Sequence, residues 1–337
     1  MNPARFGIVG LGWIGSRYLV ASRGMADLVV AGVVDELSER LPADGSVEAF
    51  GSYQEMAEQV PLDAVVVCTP PVTHPDVAGY FLDRGVAVLC EKPFAVSAAA
   101  AERMCDHARA QSVPIAMATK YRCLEEVRSA RSLISEGTIG DIVSFEIAFT
   151  NNRDMRASWH SDRQISGGGV FTDAGAHAID VITYLLSPPS ELLAVAGMPV
   201  QHLAVEDSAH ALIRLSDGTI GAALLSWNGD WGHDYYAVVE GTTGVIRLGW
   251  QSSEYRTVAT NGWQQIGRPY SIERPLAYQL LNFGSALRGE TPFIASAPEA
   301  LANVMAICAG NDSLASGCWE NVMAVVPKPE IAAIAAS

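Results

Sequence analysis

The sequence predicts an α/β fold in two domains, of which the first is a doubly wound parallel sheet. Short, continuously apolar strands alternate with helical segments through the first third of the chain, which is typical of parallel strands covered on both faces. A glycine-rich turn joins the first strand to the first helix. Because 337 residues exceed the usual length of one domain, we expect a first domain over residues 1–121 and a second over residues 122–337.

The composition disfavours nucleic acid as a partner and predicts no membrane segment. The chain has 22 basic and 37 acidic residues, whereas binding to a phosphate backbone depends on clustered lysine and arginine. No apolar run approaches the roughly 20 residues of a membrane helix. The N-terminus lacks the basic stretch and apolar core of a signal peptide.

The six cysteines form no CxxC pair and no zinc spacing, so we expect no metal site. Several of them lie within apolar strand or helix patterns. These positions indicate reduced thiols in the core of a cytoplasmic protein.

The first strand, RFGIVG at residues 5–10, runs into the spacing Gly10-x-Gly12-x-x-Gly15 and then into a helical segment. A second apolar strand, LVVAGVVD, ends at Asp35, 20 residues beyond Gly15. Strand, glycine spacing, helix and later acidic residue together form the dinucleotide-binding fingerprint. A glycine-rich turn without a ligand is the alternative, and the position of the acidic residue favours the dinucleotide.

Each glycine of this turn has a physical reason. Gly10 permits the tight turn, Gly12 lets the backbone approach a pyrophosphate, and Gly15 allows the helix to pack against the strand. The backbone amides of Trp13 and Ile14 then face the phosphates at the helix N-terminus, where the helix dipole favours an anion.

Asp35 is predicted to bind the adenosine ribose of the dinucleotide. Its carboxylate would accept hydrogen bonds from the ribose hydroxyls, and Glu36 adds a second negative charge that repels a 2′-phosphate. NAD is therefore favoured as the cofactor. Arg40 lies close in the sequence, so NADP stays open as the less favoured cofactor.

The alternation of strands and helices continues to residue 120. We expect strands within residues 63–71, 86–93 and 113–120, and helices within residues 74–85 and 97–111. Ligands of such sheets bind at the carboxyl ends of the strands. The polar residues at these ends, which we expect at one edge of the sheet, are Thr69, Glu91, Lys92 and Lys120.

Lys92 is unusual because the chain has only three lysines among its 22 basic residues. It follows an apolar run in VLCEKPF, at residues 88–94. A lysine at this position indicates a compact ammonium whose protonation can be tuned, which arginine does not offer. A structural salt bridge with Glu91 is the alternative, but it explains neither the position at the strand end nor the proline that follows.

The segment SGGGVFTDAGAHAIDVITYLL, at residues 166–186, predicts a buried helix with one polar face. Asp173 and His177 are spaced i, i+4 and share that face, which Asp180 extends. We expect the small residues at positions 174–176 to leave room for another molecule. An ordinary pair that stabilises the helix is the alternative.

Residues 208–228 predict two strands joined by a tight turn at Asp217-Gly218. In the second strand both faces are apolar, so both need cover. Helices of the same chain can cover one face, and we expect a second subunit on the other, in a homodimer or homotetramer. Cover by the chain's own segments is the alternative.

The chain resembles the Gfo/Idh/MocA oxidoreductases over nearly its whole length. The motifs that carry the resemblance are GIVGLGWIG, VVD, CTPPVTH, CEKPF and SGGGVFTDAGAHAID, followed by EGTTGVIRL and SAPEALANVMAICAGNDSLASG. The resemblance implies a Rossmann domain that binds NAD(P). It also implies an α+β domain with an open, mostly antiparallel sheet, which holds a sugar, inositol or related polyol.

The same resemblance assigns roles to individual residues. The catalytic residues are Lys92, Asp173 and His177, and a histidine at the last position matches the polyol dehydrogenases of the family. Besides the glycine turn and Asp35, the cofactor contacts are Thr69, Pro70, His74, Glu91 and Lys92. The substrate contacts are Lys92, Lys120, Trp159, His160, Asp173 and His177. His160 stands where many members carry arginine.

The predicted reaction is reversible hydride transfer between a nicotinamide and a secondary alcohol. His177 is the expected base because the pKa of a histidine, about 6.5, lies near working pH. Lys92 would stabilise the developing alkoxide, and Asp173 would orient His177 or bind a substrate hydroxyl. We expect loops 151–165 and 228–236 to set specificity. The alternatives are a non-catalytic NAD-binding regulator and a glycosidase that uses NAD without net redox change.

Overall fold

The computed structural model describes residues 3–229 and 234–323. Contacts between Cα atoms divide these residues into two compact units. The first unit consists of residues 3–120 and 272–301, and the second consists of the described residues between 121 and 271 together with 302–323. Among the described residues, no helix is both long enough and apolar enough to cross a membrane.

This division differs from the predicted one in residues 272–301, which join the first unit. The physical reason is a buried apolar face on the helix Glu273–Leu287. Leu276, Leu280 and Phe283 on that face are buried, and the Phe283 ring lies 6.1 Å from the ring of Phe6 in the first strand. The predicted second domain also includes residues 324–337, which lie outside the described residues.

The first unit is a parallel sheet covered by helices, as the strand and helix alternation predicts. Its strands are β1 (Ala4–Val9), β2 (Leu28–Val34), β3 (Ala49–Phe50), β4 (Ala64–Val67), β5 (Ala87–Cys90) and β6 (Ile115–Met117). Its first helices are α1 (Trp13–Ala21), α2 (Tyr53–Gln59), α3 (His74–Leu82) and α4 (Ala98–Gln111). The strand order is β3-β2-β1-β4-β5-β6, and all pairs are parallel.

The central strands of this sheet have no exposed face. All four residues of β4 and of β5 are buried, which explains why their sequences are continuously apolar instead of alternating. The order of the strands is that of a Rossmann fold, in which the connections reverse between β1 and β4. The predicted fold class of the first domain is therefore confirmed.

The second unit combines helices with a mixed sheet of nine strands. Its helices are α5 (Glu125–Ser135), α6 (Arg163–Ser166) and α7 (Val170–Leu185). After them the chain also forms α8 (Glu273–Leu287), which belongs to the first unit, and α9 (Ala297–Ser316), which contributes residues to both units. The strands are β7 (Ile142–Thr150), β8 (Pro189–Ala196), β9 (Ser208–Leu215), β10 (Ile220–Ser226), β11 (Tyr235–Gly241), β12 (Gly244–Gly249), β13 (Ser253–Thr257), β14 (Gln264–Ile266) and β15 (Glu320–Asn321).

This second sheet is antiparallel except where β7 and β10 pair in parallel. The predicted hairpin is present as β9 and β10, and Gly218 in its turn has a φ of +92°. The prediction of an open, mostly antiparallel sheet is confirmed. Alternate residues of the central strands point to one buried face, against which α7 packs.

Along each central strand, the residues between the buried ones point to the opposite face of the second sheet. His210 and Leu224 are cross-strand partners on that face, and so are Leu212 and Ala222. His210 and Leu212 are exposed, whereas Ala209 and Ala211 on the other face are buried. The two faces of this sheet thus have different environments within the described chain.

Candidate active site

The glycine turn after β1 has the geometry expected of a dinucleotide site. Gly10 has a φ of +91°, and a Cβ atom there would lie 2.8 Å from the carbonyl oxygen of Cys68. A Cβ atom at Gly15 would overlap the carbonyl oxygen of Gly10. At Gly12, which caps α1, a Cβ atom would meet nothing within 4 Å. The turn therefore packs tightly on the protein side and leaves open space at Gly12, and these features fit a pyrophosphate.

Asp35 lies directly after β2, beside the glycine turn. One carboxylate oxygen accepts a hydrogen bond from the backbone N–H of Leu11 (2.7 Å), and the other accepts one from the N–H of Leu37 (2.9 Å). A guanidinium nitrogen of Arg40 lies 3.6 Å from the carboxylate. Asp35 is thus fixed next to the turn, and the prediction that it binds the ribose stays a prediction. Arg40, which lies close to Asp35 in the sequence, is therefore its ion-pair partner in the structure.

His74, a predicted cofactor contact in CTPPVTH, is fully buried. Its Nε2 lies 2.8 Å from the carbonyl oxygen of Thr69, and its Nδ1 lies 3.3 Å from that of Phe94. Burial lowers the pKa of the imidazole. These contacts tie the loop after β4, with Thr69 and Pro70, to the loop after β5, with Lys92. The predicted cofactor contacts of this group remain predictions.

Glu91 and Lys92 follow β5 at the carboxyl edge of the first sheet. Glu91 is buried, and one of its oxygens accepts a hydrogen bond of 3.0 Å from the Tyr18 hydroxyl. Its other oxygen accepts a hydrogen bond of 3.1 Å from the backbone N–H of Lys92. The peptide bond between Lys92 and Pro93 is cis. The residue before the lysine is therefore held by two donors in the interior of the unit.

Lys120 reaches the same edge of the first sheet. Its ammonium lies 5.5 Å from the centroid of the Trp13 ring, at the start of α1, and this ring is 58% exposed. Burial raises the pKa of Glu91, while the positive charges of Lys92 and Lys120 oppose that shift. Both lysines are close enough to interact with one buried carboxyl group. The structure thus brings together the strand-end residues that the sequence placed at one edge.

In the second unit, Gly169, the last of the three glycines before α7, allows a close approach of the loop that precedes β9. The carboxylate of Glu206 accepts hydrogen bonds from the N–H groups of Gly169 (3.1 Å) and Phe171 (3.0 Å), and its carbonyl accepts one from Val170 (2.9 Å). A Cβ atom at Gly169 would overlap the Glu206 carbonyl. An acidic side chain thus caps the N-terminus of the helix that carries the predicted catalytic pair.

Asp173 and His177 are the only incompletely buried residues in the first three turns of α7. The small residues between them have a different role from the predicted one. A Cβ atom at Gly175 would lie 3.3 Å from Leu225 and 3.5 Å from Ile307, and both flanking alanines are buried. They allow close packing of α7 on the sheet and on α9, whereas the prediction had them leave room for another molecule.

Asp180 does not extend the accessible polar face. It is buried and forms an ion pair of 2.8 Å with the buried Arg122. This pair fixes the turn that contains Tyr121 beside α7, and the Tyr121 ring lies edge-on to His177 with a centroid distance of 4.9 Å. The ion pair therefore stabilises the surroundings of His177.

The Asp173 carboxylate accepts a hydrogen bond of 3.3 Å from the indole N–H of Trp227, which is fully buried. The Trp227 ring lies 6.4 Å from that of His160, and His160 stacks on Trp159 with a centroid distance of 3.7 Å. Three predicted substrate contacts of this unit are therefore neighbours. The expected specificity loop 228–236 includes residues 230–233, which lie outside the described residues.

The sequence did not predict four residues that support the site, namely Tyr18, Glu206, Trp227 and Gln279, whose side-chain amide donates a hydrogen bond to the Tyr18 hydroxyl. Tyr18 lies in an apolar helical pattern and Trp227 in an apolar strand pattern, so both are typical core residues in sequence. Gln279 and Glu206 are ordinary surface residue types. Their roles depend on contacts across long sequence separations, for which the sequence gives no signal. The described residues contain no cluster of three or more side chains suited to a metal ion.

Comparison with known protein families matches both units of the chain. A model described as the oxidoreductase family with an NAD-binding Rossmann fold matches residues 4–119. A model of the Gfo/Idh/MocA C-terminal domain matches residues 127–247.

Curated relatives include two proteins of Rhizobium meliloti. The rhizopine catabolism protein MocA is 27% identical over 90% of this chain and 92% of its own length. An inositol 2-dehydrogenase is 26% identical over 72% of this chain and 74% of its own length.

Among solved structures, a levoglucosan dehydrogenase in complex with NADH and levoglucosan superposes with a TM-score of 0.85. The alignment covers 95% of this chain and 99% of that chain at 20% identity. At this identity the likeness is one of fold.

Proposed function

Because the chain belongs to the Gfo/Idh/MocA family of NAD-binding oxidoreductases, we propose that it oxidises a secondary alcohol of a sugar, inositol or related polyol, or reduces the corresponding ketone. The observation that carries this proposal is the pair Asp173 and His177, which is partly accessible on a helix whose first three turns are otherwise buried. Lys92, at the carboxyl edge of the NAD-binding sheet, supplies the cation that the same chemistry requires.

The residues that would hold the cofactor lie around the glycine turn. The space at Gly12 and the start of α1 suit the pyrophosphate, and Asp35 suits the adenosine ribose. Trp13, Ile14, Thr69, Pro70, His74 and Glu91 complete the proposed surroundings. Bound NAD supplies the carbon that accepts or donates the hydride.

The protein's own groups handle the proton and the charge. In the oxidative direction the substrate carbon loses a hydride, and the hydroxyl loses a proton to the imidazole of His177. The ammonium of Lys92 stabilises the negative charge that develops on the same oxygen. Asp173, whose carboxylate is oriented by the Trp227 indole, positions His177 or a neighbouring substrate hydroxyl. In the reductive direction each step is reversed.

The substrate class is supported by the relatives and by polar groups beside the pair. Curated relatives are named as dehydrogenases of inositol, levoglucosan and glucose 6-phosphate. Trp159, stacked on His160, offers a partly exposed aromatic surface near Asp173. Lys120, Trp159 and His160 are the proposed substrate contacts besides the catalytic three.

We also propose a homodimer or homotetramer that forms through the outer face of the second sheet. Val195, Leu212 and Ile220 on this face are 56%, 46% and 39% exposed, so the described chain does not cover them. A shallow cavity of roughly 230 Å3 indents the face between Glu146 and His210. A second copy related by a two-fold axis would bury the same apolar patch on both subunits.

A cytoplasmic location is supported by the state of the cysteines. The six cysteines are present as thiols, and Cys90, Cys105 and Cys123 are buried in the two units. Proteins of oxidising compartments more often use cysteines in disulfides.

The test is a panel of polyols and sugars incubated with NAD+ or NADP+, read by the absorbance of the reduced nicotinamide. We expect reduction of NAD+ with at least one cyclic polyol or sugar, and weaker reduction of NADP+. Turnover of a glycoside without accumulation of NADH would favour the hypothesis of a glycosidase that uses NAD without net redox change. Binding of NAD without turnover of any alcohol or ketone in the panel would favour the hypothesis of a non-catalytic NAD-binding regulator.

A further inference from the structure

A chain of buried polar side chains lies beneath Lys92. It begins at Gln279 on α8, passes through Tyr18 on α1 and ends at Glu91, directly before the lysine. Gln279 and Tyr18 are fully buried, and Glu91 is 8% exposed. Burying polar groups is unfavourable unless they are hydrogen-bonded, so this chain of contacts requires an explanation.

The donor and acceptor atoms set the direction of the three hydrogen bonds that link Thr119, Gln279, Tyr18 and Glu91. The backbone N–H of Thr119 can only donate, and it donates to Oε1 of Gln279 over 2.8 Å. The amide nitrogen of Gln279 therefore faces Tyr18 and donates to its hydroxyl oxygen. The single hydroxyl proton of Tyr18 is then directed to Glu91, over 3.0 Å.

Both oxygens of Glu91 act as acceptors in this arrangement, one from Tyr18 and one from the N–H of Lys92. An ionised carboxylate offers both of its oxygens as acceptors, and both oxygens of Glu91 are used in this way. The charged groups that face it are Lys92 and Lys120, which oppose the effect of burial on its pKa.

Two further titratable neighbours of Glu91 are the thiols of Cys68 and Cys90. Burial raises the pKa of both Cys68 and Cys90, with a smaller effect from the charge of Glu91 itself. These thiols are therefore neutral. The buried Glu91 carboxyl group, bonded to the N–H of Lys92, restrains the loop and lies within electrostatic reach of the Lys92 ammonium.

We propose that Tyr18 and Gln279 are positioning residues that act on Lys92 through Glu91. The helix that begins at the glycine turn and the helix that returns from the C-terminal part of the chain together set the place of the reactive lysine. This inference rests on the proposed function, in which Lys92 is catalytic. It also assigns α8 a role in the site, in addition to its apolar packing within the first unit.

The kinetic test compares Tyr18→Phe, which removes only the hydroxyl, with Tyr53→Phe, which removes a hydroxyl elsewhere in the same unit. We expect Tyr18→Phe to lower kcat by about 10- to 100-fold, because the loss of a hydrogen bond to a charged group usually has an effect of this size. Gln279→Met should lower kcat in the same direction. The KM and dissociation constant for NAD should stay within about twofold of wild type in all three variants.

A second comparison separates positioning from a general structural effect. Tyr18→Phe is made in the Lys92→Ala background, where a residue that acts through the lysine has nothing left to act on. We expect the residual rate to change by less than about twofold. An equal loss of kcat in both backgrounds, or a parallel loss of NAD binding, would overturn the proposal.

A third readout does not depend on catalysis, so it separates this inference from the proposed function. The chain has only three lysines, so labelling lysine with 13C at Cε gives a spectrum that Lys92→Arg assigns directly. Tyr18→Phe and Gln279→Met should move the Lys92 signal, and Tyr53→Phe should leave it in place. An unmoved Lys92 signal in both network variants would refute the inference even if the enzyme is an active dehydrogenase.

Discussion

At the scale of single residues, two of the chain's three lysines meet at the carboxyl edge of the first sheet. Lys92 follows a strand that is buried along its whole length, so its place is fixed by the core of the unit. The neighbouring Glu91 is buried and bonded from two directions. A compact ammonium in such surroundings can stabilise charge at a defined point.

The first prediction concerns Lys92→Ala. We expect kcat to fall by about 100- to 1,000-fold, because removal of a group that stabilises charge in the transition state has this effect in other enzymes. Binding of NAD, measured by quenching of tryptophan fluorescence, should be retained. Steady-state turnover within a few-fold of wild type would show that Lys92 has no catalytic role.

The second prediction concerns the ion pair of Asp35 with Arg40. Asp35→Asn keeps the shape of the side chain and one of the two oxygens that accept from the Leu11 and Leu37 amides, and it removes the negative charge. We expect the preference for NAD+ over NADP+, as a ratio of kcat/KM, to fall by at least about tenfold. Arg40 is then released to bind a 2′-phosphate.

The control for this prediction is the double variant Asp35→Asn with Arg40→Ala. It should lose any gain in kcat/KM with NADP+, because the released cation is absent. An unchanged cofactor preference in Asp35→Asn would remove Asp35 as the ribose-binding residue.

At the scale of elements, α7 depends on a loop far along the chain for its N-terminus. Glu206 caps it, Gly169 permits the close approach of Glu206, and Trp227, directly after β10, orients Asp173. The helix is buried except for a narrow stripe. Its accessible residues are therefore displayed by a rigid support, which suits a catalytic pair.

The third prediction is a pH dependence of stability at the cap of α7. Burial raises the pKa of Glu206 above its ordinary value of 4.5, against the lowering effect of its hydrogen bonds and of Arg163. Because the folded pKa lies above the unfolded one, the folded state binds the proton more tightly. The stabilising contribution is thus fully present below the unfolded pKa and is lost as pH rises through the folded pKa.

We therefore expect the wild type to gain unfolding free energy relative to Glu206→Gln as the pH is lowered from neutral towards 4.5. Urea titrations of both proteins at several pH values give this difference, in which the other titrating groups cancel. If the wild type loses stability relative to Glu206→Gln over the same pH range, the pKa of Glu206 is not raised in the folded protein.

At the scale of the whole molecule, each unit has its own sheet and core, and the first unit is built from two separate segments of the chain. The second segment, residues 272–301, contains α8, which supplies apolar side chains to the core and the amide of Gln279. The second sheet has one face under helices and one face with exposed apolar residues. In the proposed oligomer, a second copy of the chain covers that face.

The fourth prediction follows from this exposed face. Leu212→Asp places a charge in the centre of the patch, and we expect it to convert the oligomer to a monomer in sedimentation velocity experiments. Val258→Asp, at a position 84% exposed in the loop after β13, is the matched control and should leave the oligomer intact. A wild type that sediments as a monomer would exclude the proposed assembly.

The sequence by itself determined the features that depend on local patterns. Buried parallel strands are continuously apolar, the glycine turn needs a positive φ at Gly10, and the β9–β10 hairpin has its turn at Asp217-Gly218. The family motifs also marked Lys92, Asp173 and His177. These signals lie within short segments, and a short segment is enough to fix the backbone or the chemistry that each one requires.

Only the tertiary structure decided how these residues are supported. Gln279 and Tyr18 are 261 positions apart, and Trp227 and Asp173 are 54 apart. The small residues of α7 serve close packing, and Asp180 belongs to a buried ion pair. Polar partners at such separations meet through the packing of whole elements, and no local pattern in the chain records which buried donor will face which acceptor.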